Sequence, residues 1–114
     1  MLHEMTLFPK PYASIASGQK TIELRLYDEK RQSIHIGDQI RFTNTEDASQ
    51  TTLCEVLQLH VFKDFRELYE KLPLLQCGYT SEDVENAHPD DMLTYYSKEK
   101  QAQYGVVGIE LKRI

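Results

Sequence analysis

Gly18-Gln19-Lys20-Thr21-Ile22-Glu23-Leu24-Arg25 changes hydrophobic period within a few residues, and the rest of the chain is read outward from it. Upstream, Pro11 suits the first turn of a helix and Gly18 suits the left-handed residue that follows one. A two-turn helix is therefore predicted over Tyr12 to Ser17, with Tyr12, Ile15 and Ala16 as its buried stripe. Downstream, Ile22, Leu24 and Leu26 alternate with Thr21, Glu23, Arg25 and Tyr27, the pattern of a strand with one buried face and one available face. Glu23 and Arg25 project from the available face about 7 Å apart, close enough to share a ligand or to bond each other. Lys20 has the opposite parity, but it sits at the helix exit, where alternation does not yet apply. Its ammonium can turn toward the same side.

Before this stretch, Leu2 to Phe8 alternates weakly, with His3, Met5 and Leu7 on one side, and reads as a short strand ended by Pro9 and Pro11. After it, Asp28-Glu29-Lys30-Arg31-Gln32 reads as a charge-dense loop and Gly37-Asp38 as a turn. Gln39 to Thr43 alternates with Ile40 and Phe42 inward, and the polar run from Asn44 to Gln50 reads as a hairpin tip. Thr52 to Phe62 is a long strand apolar at both parities (Leu53, Leu57, Leu59, Val61; Cys54, Val56, Phe62), so both of its faces are expected to be partly covered. Asp64 with Glu67 opens a helix carrying Phe65, Leu68, Tyr69 and Leu72, which Pro73 stops. Ser81 is expected to cap a short helix through Ala87, and His88-Pro89 to begin a segment through Tyr96. Ser97 is expected to cap a last turn ending at Tyr104-Gly105, before a closing strand from Val106 to Leu111. A short helix, several antiparallel strands, a helical insertion and a closing strand predict an α+β barrel with short helices at its ends.

A chain of 114 residues is read as one domain, residues 1–114, large enough to bury a core. Hydrophobic residues make up 40% and charged residues 27%, ordinary for a globular protein. The apolar runs are too short for a membrane span, and the first residues lack the basic start and apolar stretch of a secretion signal. A cytoplasmic location is expected. Cys54 and Cys77 stand far apart without a Cys-x-x-Cys pair and are expected to be buried free thiols. His3, His35, His60 and His88 lack ligand spacing, so no metal is expected, and no cofactor either. The net charge of −5 argues against indiscriminate binding to a long polyanion. Its distribution is uneven, however: residues 1–43 balance at +1 and residues 44–114 at −6, which leaves room for a locally basic cleft.

Lys20 suits a phosphate or carbonyl ligand, or a base if burial lowers its pKa; the commonplace alternative is a lysine leaving a helix cap for water. Glu23 suits an exocyclic amine and Arg25 a phosphate, whereas as a surface ion pair they would contribute about 1 kcal/mol or less. Tyr95, Tyr96 and Tyr104 offer flat faces for a base, with at least one of Tyr95 and Tyr96 expected to be half-buried core instead. For Ser97 a cap role outweighs a nucleophilic one, since no neighbouring base is visible in sequence. Lys30 and Arg31 could extend a basic rim, but the commoner description, solvated loop charges, is expected.

Taken in order, Gly18-x-Lys20-Thr21-Ile22-Glu23-x-Arg25, Gly37-Asp38 before a strand, Tyr95-Tyr96-Ser97-x-Glu99 and Tyr104-Gly105-Val106-Val107-Gly108-Ile109 resemble the ASCH (activating signal cointegrator homology) domain, a branch of the PUA-like superfamily. The resemblance spans nearly the whole chain. It implies a PUA-like small β-barrel with short helices covering its ends, a cleft beside the Gly-x-Lys motif, and an association with RNA or nucleotide ligands. Some bacterial members hydrolyse N4-acetylcytidine and others have been linked to RNA cleavage. In the amidohydrolase members the motif reads Lys-Thr-x-Thr-x-Arg; Lys20 and Arg25 match it, while Glu23 stands where the second threonine would be.

The function expected from residues and resemblance together is a monomeric module that holds RNA, a nucleotide or a nucleoside through Lys20, Thr21, Glu23, Arg25, Tyr95, Tyr96 and Ser97, with no membrane and no metal. The alternative is a hydrolase, an N4-acetylcytidine amidohydrolase or a ribonuclease, with Lys20 and Glu23 as its catalytic pair. A protein-interaction domain that kept the fold is the weaker third reading.

Overall fold

The computed structural model describes residues 1–114. Five strands, β1 (Leu2–Leu7), β2 (Ile22–Leu26), β3 (Gln39–Asn44), β4 (Asp47–Phe62) and β5 (Val106–Arg113), form one sheet in the order β1-β3-β4-β5-β2. The sheet curls into a half-barrel and the class is α+β, as the sequence pattern predicts. All neighbouring strands are antiparallel except β1 and β3, which run parallel from Leu2 opposite Gln39 to Leu7 opposite Asn44. The several antiparallel strands expected from the sequence are present, and the parallel β1–β3 pair is an addition the sequence pattern did not specify. Parallel pairing needs a long crossover, and the segment carrying α1, β2 and the turn before β3 supplies it.

Helix α1 (Pro9–Ala16) starts three residues earlier than expected, because Pro9 occupies its first turn, where no backbone donor is needed. Gly18 follows with φ +86°, a conformation that side-chain-bearing residues rarely adopt. The expected charged loop after β2 is instead a single helical turn, α2 (Glu29–Gln32), held by the Asp28 carboxylate accepting from the Arg31 amide at 3.1 Å. The expected hairpin tip also shrinks, since β4 already begins at Asp47.

Further on, α3 (Phe65–Lys71) is capped by Asp64 as predicted, and α4 (Lys98–Tyr104) by Ser97. Ser81 caps nothing. The segment between α3 and α4 is built from three short 3-10 turns, Leu74–Cys77, Val84–Asn86 and Pro89–Thr94, with Thr80 and Asp83 bonding each other instead.

Two apolar clusters hold these layers. The larger lies in the concavity of the sheet, where Tyr12 and Ile15 of α1 meet Met5, Leu7, Ile40, Phe42, Cys54, Val56, Val107, Ile109 and Leu111. The smaller lies on the other side of β2 and β5, where Phe65, Leu68, Cys77 and Met92 cover Ile22, Leu24, Leu26 and Val106. Each fully buried large apolar side chain contributes about 1.5–3 kcal/mol by leaving water. The long β4 strand serves both clusters by means of an irregularity between Val56 and Gln58, which skips Leu57 in the pairing with β5. Leu57 and Val61 are exposed while Leu59 packs against the larger cluster, so that parity is partly covered, as expected.

Candidate functional site

β2 has cover on both faces. Its apolar residues meet the smaller cluster. Glu23 pairs across the strands with Ile109 and Arg25 with Val107, so these two charged side chains share the concave face with the larger core. The sequence pattern leaves that face open. In the structure Glu23 is only 4% exposed.

A buried carboxylate is costly unless paired and hydrogen-bonded, and Glu23 is paired twice. Lys20 Nζ lies 2.8 Å from one oxygen and Arg25 Nε donates to the other at 2.7 Å. Burial by itself raises the Glu23 pKa, but the Lys20 and Arg25 charges outweigh it and hold the carboxyl below its usual value. Burial likewise opposes the charge on Arg25, and Glu23 more than compensates, raising its pKa. Arg25 also donates from Nη2 to the Thr6 carbonyl at 2.8 Å. Thr6 belongs to β1 and Arg25 to β2, the two edges of the sheet, so this bond ties the open sides of the half-barrel together.

Beside this tie lies a cleft of about 690 Å³. One side of it comes from Thr6, Phe8, Lys10 and Ser14, the floor from Lys20, Glu23 and Arg25, and the far side from the insertion. Gly78 lets the insertion approach. Its φ is +112°, and a Cβ built there would stand 3.3 Å from Lys20 Cδ. On the insertion side Tyr79 donates to Asp91 at 2.6 Å and bonds the Tyr69 hydroxyl at 2.7 Å. Burial pushes the Tyr69 phenol up to about 12, and burial together with the Asp91 carboxylate raises that of Tyr79 further. Cys77 borders the same cleft, and burial pushes its thiol up to about 11, so it is not a ready nucleophile.

Of the sequence-predicted residues, Lys20, Glu23, Arg25, Tyr95 and Tyr96 meet in this cleft. Thr21 does not. Its hydroxyl lies 3.4 Å from the Gln76 side chain, and it borders a separate recess of about 340 Å³ beside Arg113. Ser97 is occupied as the cap of α4, accepting from the Lys100 amide at 3.2 Å. The two tyrosines also differ: Tyr96 is half-buried and stacked against Phe65 at 6.1 Å, whereas Tyr95 is exposed. Sequence reasoning missed Phe8, Lys10, Tyr79 and Asp91. Phe8 and Lys10 sit beside prolines that read only as a strand end, and Tyr79 and Asp91 lie in 3-10 turns and bends that carry no periodicity. No group of three or more His, Cys, Asp or Glu side chains is arranged to hold a metal ion.

The ASCH domain family model matches residues 5–114, nearly the entire chain. The protein belongs to the ASCH domain family. Its curled five-stranded sheet with several short helices is the α+β fold expected of that family. Among solved structures, this ASCH chain is similar to the hypothetical protein PH0355, at 33% identity and a TM-score of 0.82 with all of both chains covered. It is similar to protein PF0455 from Pyrococcus furiosus at 32% identity and a TM-score of 0.76, covering 100% of this chain and 98% of that one. ASCH from Zymomonas mobilis shares the fold at a TM-score of 0.67, with 13% identity over 97% of this chain and 66% of its own. No curated protein matches the chain.

Proposed function

We propose that this ASCH domain binds a nucleotide, or the end of a short single-stranded RNA, in the cleft beside Lys20. The observation that carries the reading is the charge arrangement of the floor: two cations, Lys20 and Arg25, share one buried carboxylate, Glu23. The floor therefore keeps one net positive charge in a largely desolvated place, where an anion is attracted more strongly than at the surface. Lys10 adds a cation at the rim, and tyrosines line the insertion side, where Asp83 and Asp91 also border the cleft and confine its positive charge to the floor. A single phosphate with a flat base attached matches that combination. The net charge of −5 opposes a long polyanion and supports a small ligand or a strand terminus.

The hydrolase alternative requires Glu23 to accept a proton in place of the missing threonine. Both of its oxygens are already bonded to cations and its proton affinity is lowered, which opposes general-base work there. Titration calorimetry with nucleoside monophosphates, run beside an N4-acetylcytidine hydrolysis assay, separates the readings. The expected result is binding by the native protein, a roughly tenfold or greater loss in Lys20→Ala from removing a charge-assisted bond, and no turnover. Turnover abolished by Lys20→Ala would establish the hydrolase instead. Absence of both binding and turnover sinks the cleft as the functional site.

A further inference from the structure

The chain has four phenylalanines and seven tyrosines, and nine of these eleven rings are buried or half-buried. The two exposed ones are Phe8, at 59%, and Tyr95, at 56%, and both line the same cleft. Leaving a large aromatic ring in water forgoes the burial that stabilises a fold, and two such rings at one cleft, with none elsewhere, mark a surface kept for contact. They come from separate segments. Phe8 is the residue before α1, on the β1 side; Tyr95 ends the last 3-10 turn of the insertion.

Both rings stand on fixed backbone. The Phe8 carbonyl accepts from the Tyr12 amide at 2.9 Å and Pro9 follows it; the Tyr95 amide donates to the Met92 carbonyl at 3.0 Å. Each side chain then has two rotatable bonds to settle, so ordering it on a ligand costs little. Tyr96, 6.3 Å from Tyr95, already has Phe65 stacked against it and is part of the packing. The side chains of Lys20 and Arg25 are far less exposed, at 11% and 15%. The cleft thus has charge at its floor and free aromatic surface at its rim.

We infer that Phe8 and Tyr95 are the base-stacking residues of this cleft and that its ligand sits with the phosphate inward on Lys20 and Arg25 and the base outward at the rim. The inference rests on the nucleotide reading above and adds an orientation and a ligand class to it: a phosphate-bearing compound with a planar heteroaromatic group. Phe8 has no polar side-chain atom, and stacking uses the ring face that every base possesses, so this pair confers affinity for bases without choosing among them. An outward base also leaves the rest of a strand free in solvent, consistent with a terminal nucleotide.

The test compares adenosine 5′-monophosphate with ribose 5-phosphate by calorimetry on the native protein and on Phe8→Ala, Phe8→Tyr and Tyr95→Ala. Adenosine monophosphate is expected to lose roughly 5- to 100-fold in affinity in each alanine variant, the range of one aromatic–base stack. Phe8→Tyr should retain native affinity, and ribose 5-phosphate should bind all four proteins alike. Equal affinity of the native protein for the two ligands, unchanged adenosine monophosphate binding in both alanine variants, or an equal loss for both ligands overturns the inference while leaving a phosphate site in place. A native protein that binds neither compound removes the nucleotide reading, and the stacking pair with it.

Discussion

The two faces of β2 are both buried, by opposite means. On one, Ile22, Leu24 and Leu26 are covered by Phe65, Leu68 and Met92, contacts that need only shape and apolar area. On the other, Glu23 and Arg25 share the concavity with Val107 and Ile109, and they are tolerated there because Lys20, Glu23, Arg25 and the Thr6 carbonyl form a continuous chain of bonds. The difference is one of tolerance to change. An apolar face loses stability in proportion to the atoms removed, whereas a paired charged face fails when any partner goes, because the remainder is left buried and uncompensated. Such a face is a poor choice for stability alone and a suitable one for holding a lysine and an arginine ready in a cleft.

Removing the carboxylate has the largest expected effect on the charged face. Glu23→Ala is expected to cost about 3–5 kcal/mol in urea denaturation, since it leaves two cations facing each other in a buried place. A loss below about 1 kcal/mol would mean the face behaves as an ordinary solvated ion pair. Leu68→Ala tests the apolar face. Leu68 is fully buried, and the expected loss is about 2–5 kcal/mol, with the protein still able to bind in the cleft once folded. Should Leu68→Ala abolish binding in the folded protein, the two faces of β2 are coupled and do not act independently.

Gly78→Ala acts between the faces, where the insertion meets Lys20. A side chain at φ +112° costs on the order of 1–2 kcal/mol, and its Cβ presses on the Lys20 stem, so nucleotide affinity should fall together with thermal stability. A fall in stability with affinity preserved would separate Lys20 from the cleft's function. The mildest expected effect is one of pH, at a carboxylate far from β2 in sequence. The His3 side chain at 2.8 Å, the His35 amide at 3.0 Å and the N-terminal ammonium at 3.2 Å hold the Asp38 pKa well below its ordinary value. Its stabilising contribution is therefore complete above the unfolded value of about 3.9 and lost as pH falls toward the lower folded value. Glu23, also lowered, acts with the same sign. Asp38→Asn should flatten the decline of stability below about pH 4 and leave the remaining decline to Glu23 and other paired carboxylates. An unchanged acid profile in that variant would refute the assignment.

Much of the architecture was legible because local rules and burial agreed. The period change after Lys20, the Asp64 and Ser97 caps and the alternation around Ile40 and Phe42 all reappear as elements with the expected buried sides. The insertion was not legible, because 3-10 turns bury one residue here and one there without a repeating period; Ser81 looks like a cap and is not one. The candidate site divides in the same way. Lys20, Glu23 and Arg25 stand out because they follow one another across a helix exit and a strand, while Phe8, Tyr79 and Asp91 are far apart in the chain and meet only when the insertion packs beside β1 and α1.

Strand β2, the helix and glycine before it, and the grouping of a lysine, a glutamate and an arginine within six residues follow from the amino-acid sequence alone, since they depend on backbone geometry over one or two turns. The sequence did not decide whether the charged face meets water. That is settled by tertiary packing, because burial of Glu23 depends on β1, β5 and α1 closing over it; the parallel β1–β3 pairing joins residues 37 positions apart, and the Arg25–Thr6 bond that closes the half-barrel spans nineteen.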